Sequence, residues 1–386
     1  MIEIAKYRSF AELPADSKRL LESGGKNSFF FGLPWFETLV NYALDPGDEV
    51  FLYQAFESET QSPLAILPLI YKSKGRDWWK PRTLSSLANY YSSLFAPICK
   101  TPLREQTAVA LAKAIAADAR RWNVLDVRPL PRPSNVFDAL IQGLEAARFT
   151  VQTYFCFGNW YLEVGGRSFD EYAQSLPSTL RNTLTRKEKR LTKSGRSKLE
   201  LICNEAGLEK GIRAYEQVYR SSWKHQEPYP HFVPELMRVC AKLGALRLGV
   251  IYVDDVPAAA QFWIVQNQTA MIYKLAYDER FADLSVGTIL TAALMRRVID
   301  IDKVAEVDYL TGDDAYKRDW MSGRRERWGI LAMNPRTIGG NLAIARHVGG
   351  RAAKRLLQRA FGKHGRAPGL QEYAILARGM SSDRSR

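Results

Sequence analysis

The stretch RLGVIYVDDVPAAAQFWIVQNQTAMIYKLAYD, residues 247–278, reads as three strands in immediate succession. RLGVIYV (247–253) and PAAAQFWIV (257–265) are rich in β-branched and aromatic residues and flank a turn at Asp254–Asp255. TAMIYKLAYD (269–278) follows the turn QNQ. Pro257 opens the second strand, where a missing N–H does least harm. Downstream, VGTILTAALMRRVI (286–299) has helical spacing and VAEVDYLTG (304–312) reads as a strand.

The same order is written earlier in the chain. VFLYQAF (50–56), the turn ESETQS and PLAILPLIY (63–71) form a hairpin, again with a proline, Pro63, opening its second strand. REQTAVALAKAIAADARRW (104–122) is helical by composition and spacing, and the strand NVLDVRPL (123–130) follows, with Leu125-Asp126-Val127 answering Val307-Asp308-Tyr309. The chain thus reads as a diverged tandem repeat of one α/β domain with mixed sheets. Its expected division is residues 1–165, 166–336 and a basic extension 337–386, with the boundary near Gly165–Gly166 after the strand NWYLEV.

Composition agrees with full globular cores: 386 residues, 46% hydrophobic and 25% charged. No apolar run approaches the ~20 residues of a membrane span, and the N-terminus MIEIAKYRSF lacks the order of a signal peptide. The four cysteines form no CxxC, so neither a zinc site nor a disulfide framework is expected. The expected location is the cytoplasm. The net charge of +14 concentrates in two segments. Residues 181–198 hold eight basic residues and one acid, and residues 327–371 hold nine basic residues and none. Such clusters suit phosphate-bearing ligands or an anionic membrane surface, or are a solvated helix face and a loose tail. In RAAKRLLQRAF (351–361), apolar residues recur at helical spacing opposite Arg351, Lys354, Arg355 and Arg359, as in a basic amphipathic helix for a membrane surface.

Two windows carry candidate chemistry. In YKLAYDERFADLSVGTIL (273–290) a strand leads through Ser285 and Gly287 into a helix. The free N–H groups there bind phosphate or pyrophosphate, and Gly287 permits close approach; Ser285 is otherwise a plain helix cap. In VDYLTGDDAYKRDW (307–320), a strand delivers Asp308, and Asp313, Asp314, Tyr316 and Lys317 follow the turn at Gly312. A carboxylate there can take the proton of an amine and a tyrosine can protonate a departing thiolate; the alternative is a turn with Tyr316 and Trp320 packed on the core. Arg181, Arg186 and Arg190 lie on one helix, as phosphate ligands or a solvated face. Trp223, Lys224 and His225, with Trp320, are candidates for an acceptor pocket, although Trp223 also fits a core and His225 and His231 fit an ordinary loop. Tyr90 and Tyr91 with Ser92 and Ser93 floor an interdomain cleft or simply pack. No GxSxG, HExxH or Walker motif is present.

The order RxxxxRxxxR, YRSSWK (219–224), YKLAYD, SVGTIL and TGDDAYKRDW resembles the BioF2-like branch of the GNAT acyltransferase superfamily, which is related to the FemAB- and CelD-type proteins with two tandem GNAT domains. The likeness is best over residues 168–334. It implies acyl transfer with acyl-CoA or acyl-ACP as co-substrate and no permanently bound cofactor or metal. The donor carbonyl would sit by Leu275 to Tyr277, and the pantetheine arm at Ser285, Gly287 and Thr288. Thr288 and Ile289 stand where the family's phosphate loop is richer in glycine, which leaves room for a carrier-protein donor. The family's acid-and-tyrosine cluster falls on Asp308, Asp313, Tyr316 and Lys317. The expected acceptor is a primary amine of an envelope precursor, a long-chain amine lipid of the sphingoid type ahead of an exopolysaccharide amino sugar, with the basic tail on an anionic membrane. The alternatives are aminoacyl transfer from tRNA, in which residues 181–198 would hold the nucleic acid, and a non-catalytic envelope-assembly scaffold.

Overall fold

Asp254 and Asp255 adopt φ of 50° and 60°, and Asn267 and Gln268 adopt 50° and 59°. These left-handed pairs make two-residue turns whose twist matches that of the flanking strands, so the three expected strands zip into neighbours. The computed structural model describes residues 1–73, 80–118, 122–193 and 195–347. The first part of the chain runs β1 (Ile2–Tyr7), α1 (Ala15–Asn27), α2 (Leu33–Tyr42), β2 (Glu49–Glu57), β3 (Pro63–Tyr71), β4 (Thr83–Ser86) and β5 (Ile98–Cys99). It continues through α3 (Glu105–Ala117), β6 (Val124–Arg132), α4 (Asn135–Ala146) and β7 (Thr150–Glu163). The second part holds α5 (Phe169–Gln174), α6 (Ser178–Lys193), β8 (Ser197–Ile202), α7 (Leu208–Arg220), α8 (Phe232–Lys242) and β9 (Leu246–Val253). After it come β10 (Val256–Gln266), β11 (Thr269–Tyr277), α9 (Val286–Arg296), β12 (Glu306–Asp308), α10 (Ala315–Arg318) and β13 (Gly323–Met333).

The strands form one mixed sheet in the order β1-β2-β3-β4-β6-β13-β7-β12-β11-β10-β9-β8, with β5 beside β3. Each half repeats the other. β4 runs parallel to β6 as β11 does to β12, and every other pair is antiparallel. The seam is an exchange: β13, from the end of the chain, pairs with β6, while β7, from the first half, pairs with β12. β7 and β13 pair with each other from Tyr161↔Gly323 to Thr150↔Met333. The fold is α/β, built as two tandem halves of one arrangement.

Alternation within the strands builds cores on both faces. Ala260, Phe262 and Ile264 of β10 join one core with α1, α2, α7 and α8, which spans both halves. Ala259 and Trp263 face α5, α6 and α9 on the other side. In the first half Phe51, Tyr53 and Ala55 of β2 lie under α3 and α4. In the shared core Trp35 of α2 meets Phe232 of α8 edge to face at 5.8 Å, and Tyr91 stacks on the same ring at 4.2 Å. Among the described residues no helix is long and apolar enough to cross a membrane.

The expected basic extension begins inside the fold. Arg327, the first residue of its basic run, is buried in β13, residues 338–347 are helical, and Ala343 packs on Val124 and Met333. Residues 348–386, with the amphipathic pattern at 351–361, lie outside the described residues.

Candidate active site

The parallel pairing of β11 with β12 ends early, after Thr269↔Glu306, Ala270↔Val307 and Met271↔Asp308. Leu310, at φ 56°, and Gly312, at φ 106°, then turn the chain away from β11. A left-handed leucine is strained and has to be held. Asp308, 5% exposed, does so: its Oδ1 accepts from the Leu310 N–H at 2.6 Å and from Asn159 Nδ2 at 2.5 Å, while Oδ2 accepts from Arg325 at 2.5 Å. The β11 edge from Ile272 to Tyr277 is therefore left without a strand partner on the β12 side, and two cavities flank the resulting wedge.

The larger, of about 480 Å³, lies against the start of α9 and is lined by Leu275, Tyr277, Gly287, Thr288, Thr291 and Trp320, with the inner face of α6 through Thr179, Leu180 and Thr183. Buried Gln261 of β10 donates to the Gly287 carbonyl at 3.0 Å and to Thr291 Oγ1 at 2.8 Å, and accepts from Trp263 Nε1 at 2.9 Å. This network fixes the first turn of α9, whose leading N–H groups have no acceptor within the helix. A Cβ at position 287 would lie 3.2 Å from the Tyr277 ring, so glycine lets the ring close on the helix. Tyr277 in turn packs on half-exposed Trp223, centroids 4.7 Å apart.

The second cavity, of about 320 Å³, is lined by Lys224, Lys274, Lys317 and Asp314 and by the rings of Tyr90, Tyr91 and Tyr273. Trp223, Leu275, Tyr309 and Tyr316 belong to both walls, so the two spaces meet there. Lys274 is paired with Glu227 at 2.7 Å, and Lys317 with Asp314 at 3.0 Å and with the Thr311 carbonyl at 2.5 Å. Lys224 instead lies 5.7 Å from the Trp223 ring and 5.9 Å from that of Tyr219. Burial and the neighbouring Lys274 charge draw its pKa down to about 8. Burial and Asp314 push the Tyr316 hydroxyl far up, so it stays protonated across the physiological range.

The wedge thus gathers Leu275, Tyr277, Gly287, Thr288, Tyr316, Lys317, Trp223, Lys224 and Trp320. Other candidates fall elsewhere. Asp308 lines a third cavity on the seam. Asp313 lies against Gly158 and is bound by Arg324 at 2.6 and 2.9 Å, which holds its carboxyl below the usual range; its neighbour Asp314 is the carboxylate at the cavity. Ser285 takes a left-handed φ of 56° as N-cap and its side chain makes no cap bond. Arg181 and Arg186 are exposed on the outer face of α6, Arg181 donating to the Gln174 carbonyl at 3.3 Å. His225 is exposed and its carbonyl accepts from Tyr219.

YKLAYD and VDYLTG contain Lys274 and Tyr309 without singling them out, and Glu227 and Gln261 stand in no such motif. A lysine and a glutamine inside otherwise apolar strands are the available marks for two of them. Among the described residues no group of three or more His, Cys, Asp or Glu is placed to hold a metal ion.

Residues 178–318, which contain most of this wedge, match the family model described as acetyltransferase (GNAT) domain. The likeness to the GNAT acetyltransferases thus falls on the second half of the chain. Among solved structures the chain is similar to FemX at a TM-score of 0.57 and 9% identity, over 86% of this chain and 98% of that one. It is also similar to the C-terminal domain of a putative lysylphosphatidylglycerol synthetase from Agrobacterium fabrum, at 0.50 and 11%, over 86% and 96%. A conserved protein from Bacteroides thetaiotaomicron follows at 0.51 and 9%, over 82% and 92%. At these identities the likeness is one of fold. Among curated proteins no sequence relative matches.

Proposed function

We propose that the chain is an N-acyltransferase that moves an acyl group from a thioester, acyl-CoA or acyl-ACP, to a primary amine of amino-sugar type. The observation that carries this reading is that the two cavities meet at Leu275 and Tyr316. The space against α9 takes the donor. Its pyrophosphate or phosphopantetheine lies at the first turn of the helix, and its carbonyl lies beside the unpaired edge of β11, whose N–H groups can polarise it. The lysine-lined space takes the acceptor. The amine nitrogen attacks the thioester carbon and loses its proton to Asp314, directly or through a water. The C–S bond then breaks, and the thiolate takes a proton from the Tyr316 hydroxyl. Asp308 acts as a positioning group that holds the Leu310 turn and so keeps the wedge open.

Phenolic rings and three lysines suit a polar ring compound, where a long alkyl chain would need aliphatic walls. The reading therefore moves from the lipid amine expected from sequence to the amino sugar, the lipid preference having depended on residues 351–361. Thiol release from acyl-CoAs of several chain lengths, assayed with glucosamine-type and long-chain amines, tests it. Turnover is expected with the sugar amines; release with long-chain amines alone would overturn the acceptor class, and none with any amine or donor would overturn the activity. A second donor, an aminoacyl ester of tRNA, is favoured by the exposed Arg181, Arg186 and Arg190 on the helix that walls the donor space. Ribonuclease treatment of the donor preparation separates the two.

A further inference from the structure

The third cavity, of about 360 Å³, opens on the seam where β7, β13 and β12 lie side by side. It is joined to the acceptor space: Ser93 and Leu310 belong to the walls of both, with Thr311 Oγ1 donating to Ser93 Oγ at 3.0 Å across the join. Its chemistry differs from that of its neighbour. Arg325 and Arg327 are balanced by Glu306 and Asp308, and Asn267 and Gln266 add amide donors and acceptors.

Within this wall the hydrogen bonding is incomplete in both donors and acceptors. Arg327, 6% exposed, gives one N–H to Asn159 Oδ1 at 2.8 Å while its Nε is buried with no partner. Gln266 Oε1 is a buried acceptor with no partner. An unmatched buried donor and an unmatched buried acceptor each cost stability until something supplies the missing half. A chamber of zero net charge that offers donors and acceptors together, over the rings of Phe29 and Phe30, is matched to hydroxyl groups, which both give and receive hydrogen bonds, and to the C–H faces between them.

We propose that the acceptor site continues through the Ser93–Leu310 join into this chamber, and that the acceptor is an amine of at least two sugar units whose distal, neutral polyhydroxylated unit is held there. The inference rests on the acyl-transfer reading for the amine end of the substrate and adds a second subsite to it. The reacting amine lies near Tyr316 among the lysines. The distal hydroxyls take the Arg327 Nε–H and donate to Gln266 Oε1.

The experiment compares glucosamine with its β-1,4-linked disaccharide as acceptors, on the full chain with acetyl-CoA and with longer acyl-CoAs. The variants are Gln266→Leu, which removes the free acceptor, and Thr269→Phe, which fills the chamber from the start of β11. For the wild type, kcat/KM is expected to favour the disaccharide by about tenfold, the worth of one or two matched hydrogen bonds. Both variants should bring that ratio toward one. A wild-type ratio near one, or a preference that neither variant moves, overturns the second subsite and leaves the acyl-transfer reading standing. If neither amine is acylated by any donor, the acyl-transfer reading has failed for these acceptors. Saturation-transfer NMR then judges the chamber separately: a disaccharide signal seen with the wild type and abolished by Thr269→Phe supports it, and no signal with the wild type overturns it.

Discussion

The two halves open the same wedge and fill it differently. In the second half β11 and β12 part after Met271↔Asp308, and the gap holds two cavities, the proposed donor and acceptor spaces. In the first, β4 and β6 run parallel only through Ser85↔Asp126, and the chain that follows packs back into the gap. Leu87 and Phe95 are buried there, the Phe95 N–H donates to the Pro129 carbonyl at 2.7 Å, and Ser86 Oγ to that of Arg128 at 2.5 Å. The helices differ to match: α3 carries Glu105 in its first turn, whereas α9 has no acid there and offers Gly287. The plug also projects Tyr90, Tyr91 and Ser93 into the wall of the lysine-lined cavity of the other half. One wedge thus stays open as the proposed site of chemistry, and its twin supplies part of that wedge's wall.

The largest expected effect separates the halves by chemistry. Tyr316→Phe removes the proton donor to the thiolate and lowers kcat by about 10²-fold with little change in KM for the acceptor. A tyrosine of the first half serves as the control: Tyr154→Phe, on β7, takes a hydroxyl from Asp126, where the bond is 2.5 Å, and leaves kcat near the wild-type value. Equal losses in steady-state kinetics would break the assignment of catalysis to the second half.

The equivalent aspartates give the next contrast. Asp308 is anchored by Arg325, Asn159 and the Leu310 N–H, so Asp308→Asn breaks a buried ion pair and costs about 3 kcal/mol in urea unfolding at pH 7. For Asp126, burial outweighs Arg128 and Tyr154 and pushes the carboxyl above its usual range. A folded value above the unfolded one means that the ionised form burdens the fold as pH rises past the unfolded pKa. Asp126→Asn removes that burden and should change stability by less than about 1 kcal/mol at pH 7. A reversed order would show that the first half, not the second, depends on its buried carboxylate.

A smaller effect tests the donated wall. Tyr91 lines the acceptor space, stacks on Phe232 and lies 4.8 Å from Lys274 Nζ. Tyr91→Leu keeps an apolar side chain on Phe232 but loses the ring, and is expected to raise KM for the amine several-fold without changing KM for the thioester. A change in the thioester constant instead would place the plug on the donor side.

How much of this could be read from the sequence follows from how local each feature is. The hairpins, the turns at Asp254–Asp255 and Asn267–Gln268 and the helix from Val286 are set by neighbours within a few residues, and they stand as expected. The repeat shows through the shared Leu-Asp-Val and Val-Asp-Tyr strands. The exchange of β7 and β13 does not show, because no local pattern marks which distant strand an edge will take. The short strand β4 is hidden for a related reason: its four residues, TLSS, lack any apolar alternation. Within the site, spacing locates the loop but not the rotation of its side chains, so the motif singles out Asp313 where Asp314 faces the cavity. Arg327 reads as tail charge, although it lies buried at the seam.

The smallest effect concerns the charge that only the open wedge carries. Lys274 and Lys317 each have a carboxylate partner, whereas Lys224 faces them against aromatic rings. Its pKa of about 8 lies below the 10.5 of a free lysine, so the fold disfavours its protonated form. The resulting deficit in stability is fully present below pH 8 and is relieved as pH rises from 8 to 10.5. Lys224→Met should therefore raise the melting temperature modestly at pH 7 and give no advantage at about pH 10.5, as differential scanning fluorimetry would read it. An advantage of the same size at both values would mean that packing against Trp223, not the uncompensated ammonium, sets the energy of this position.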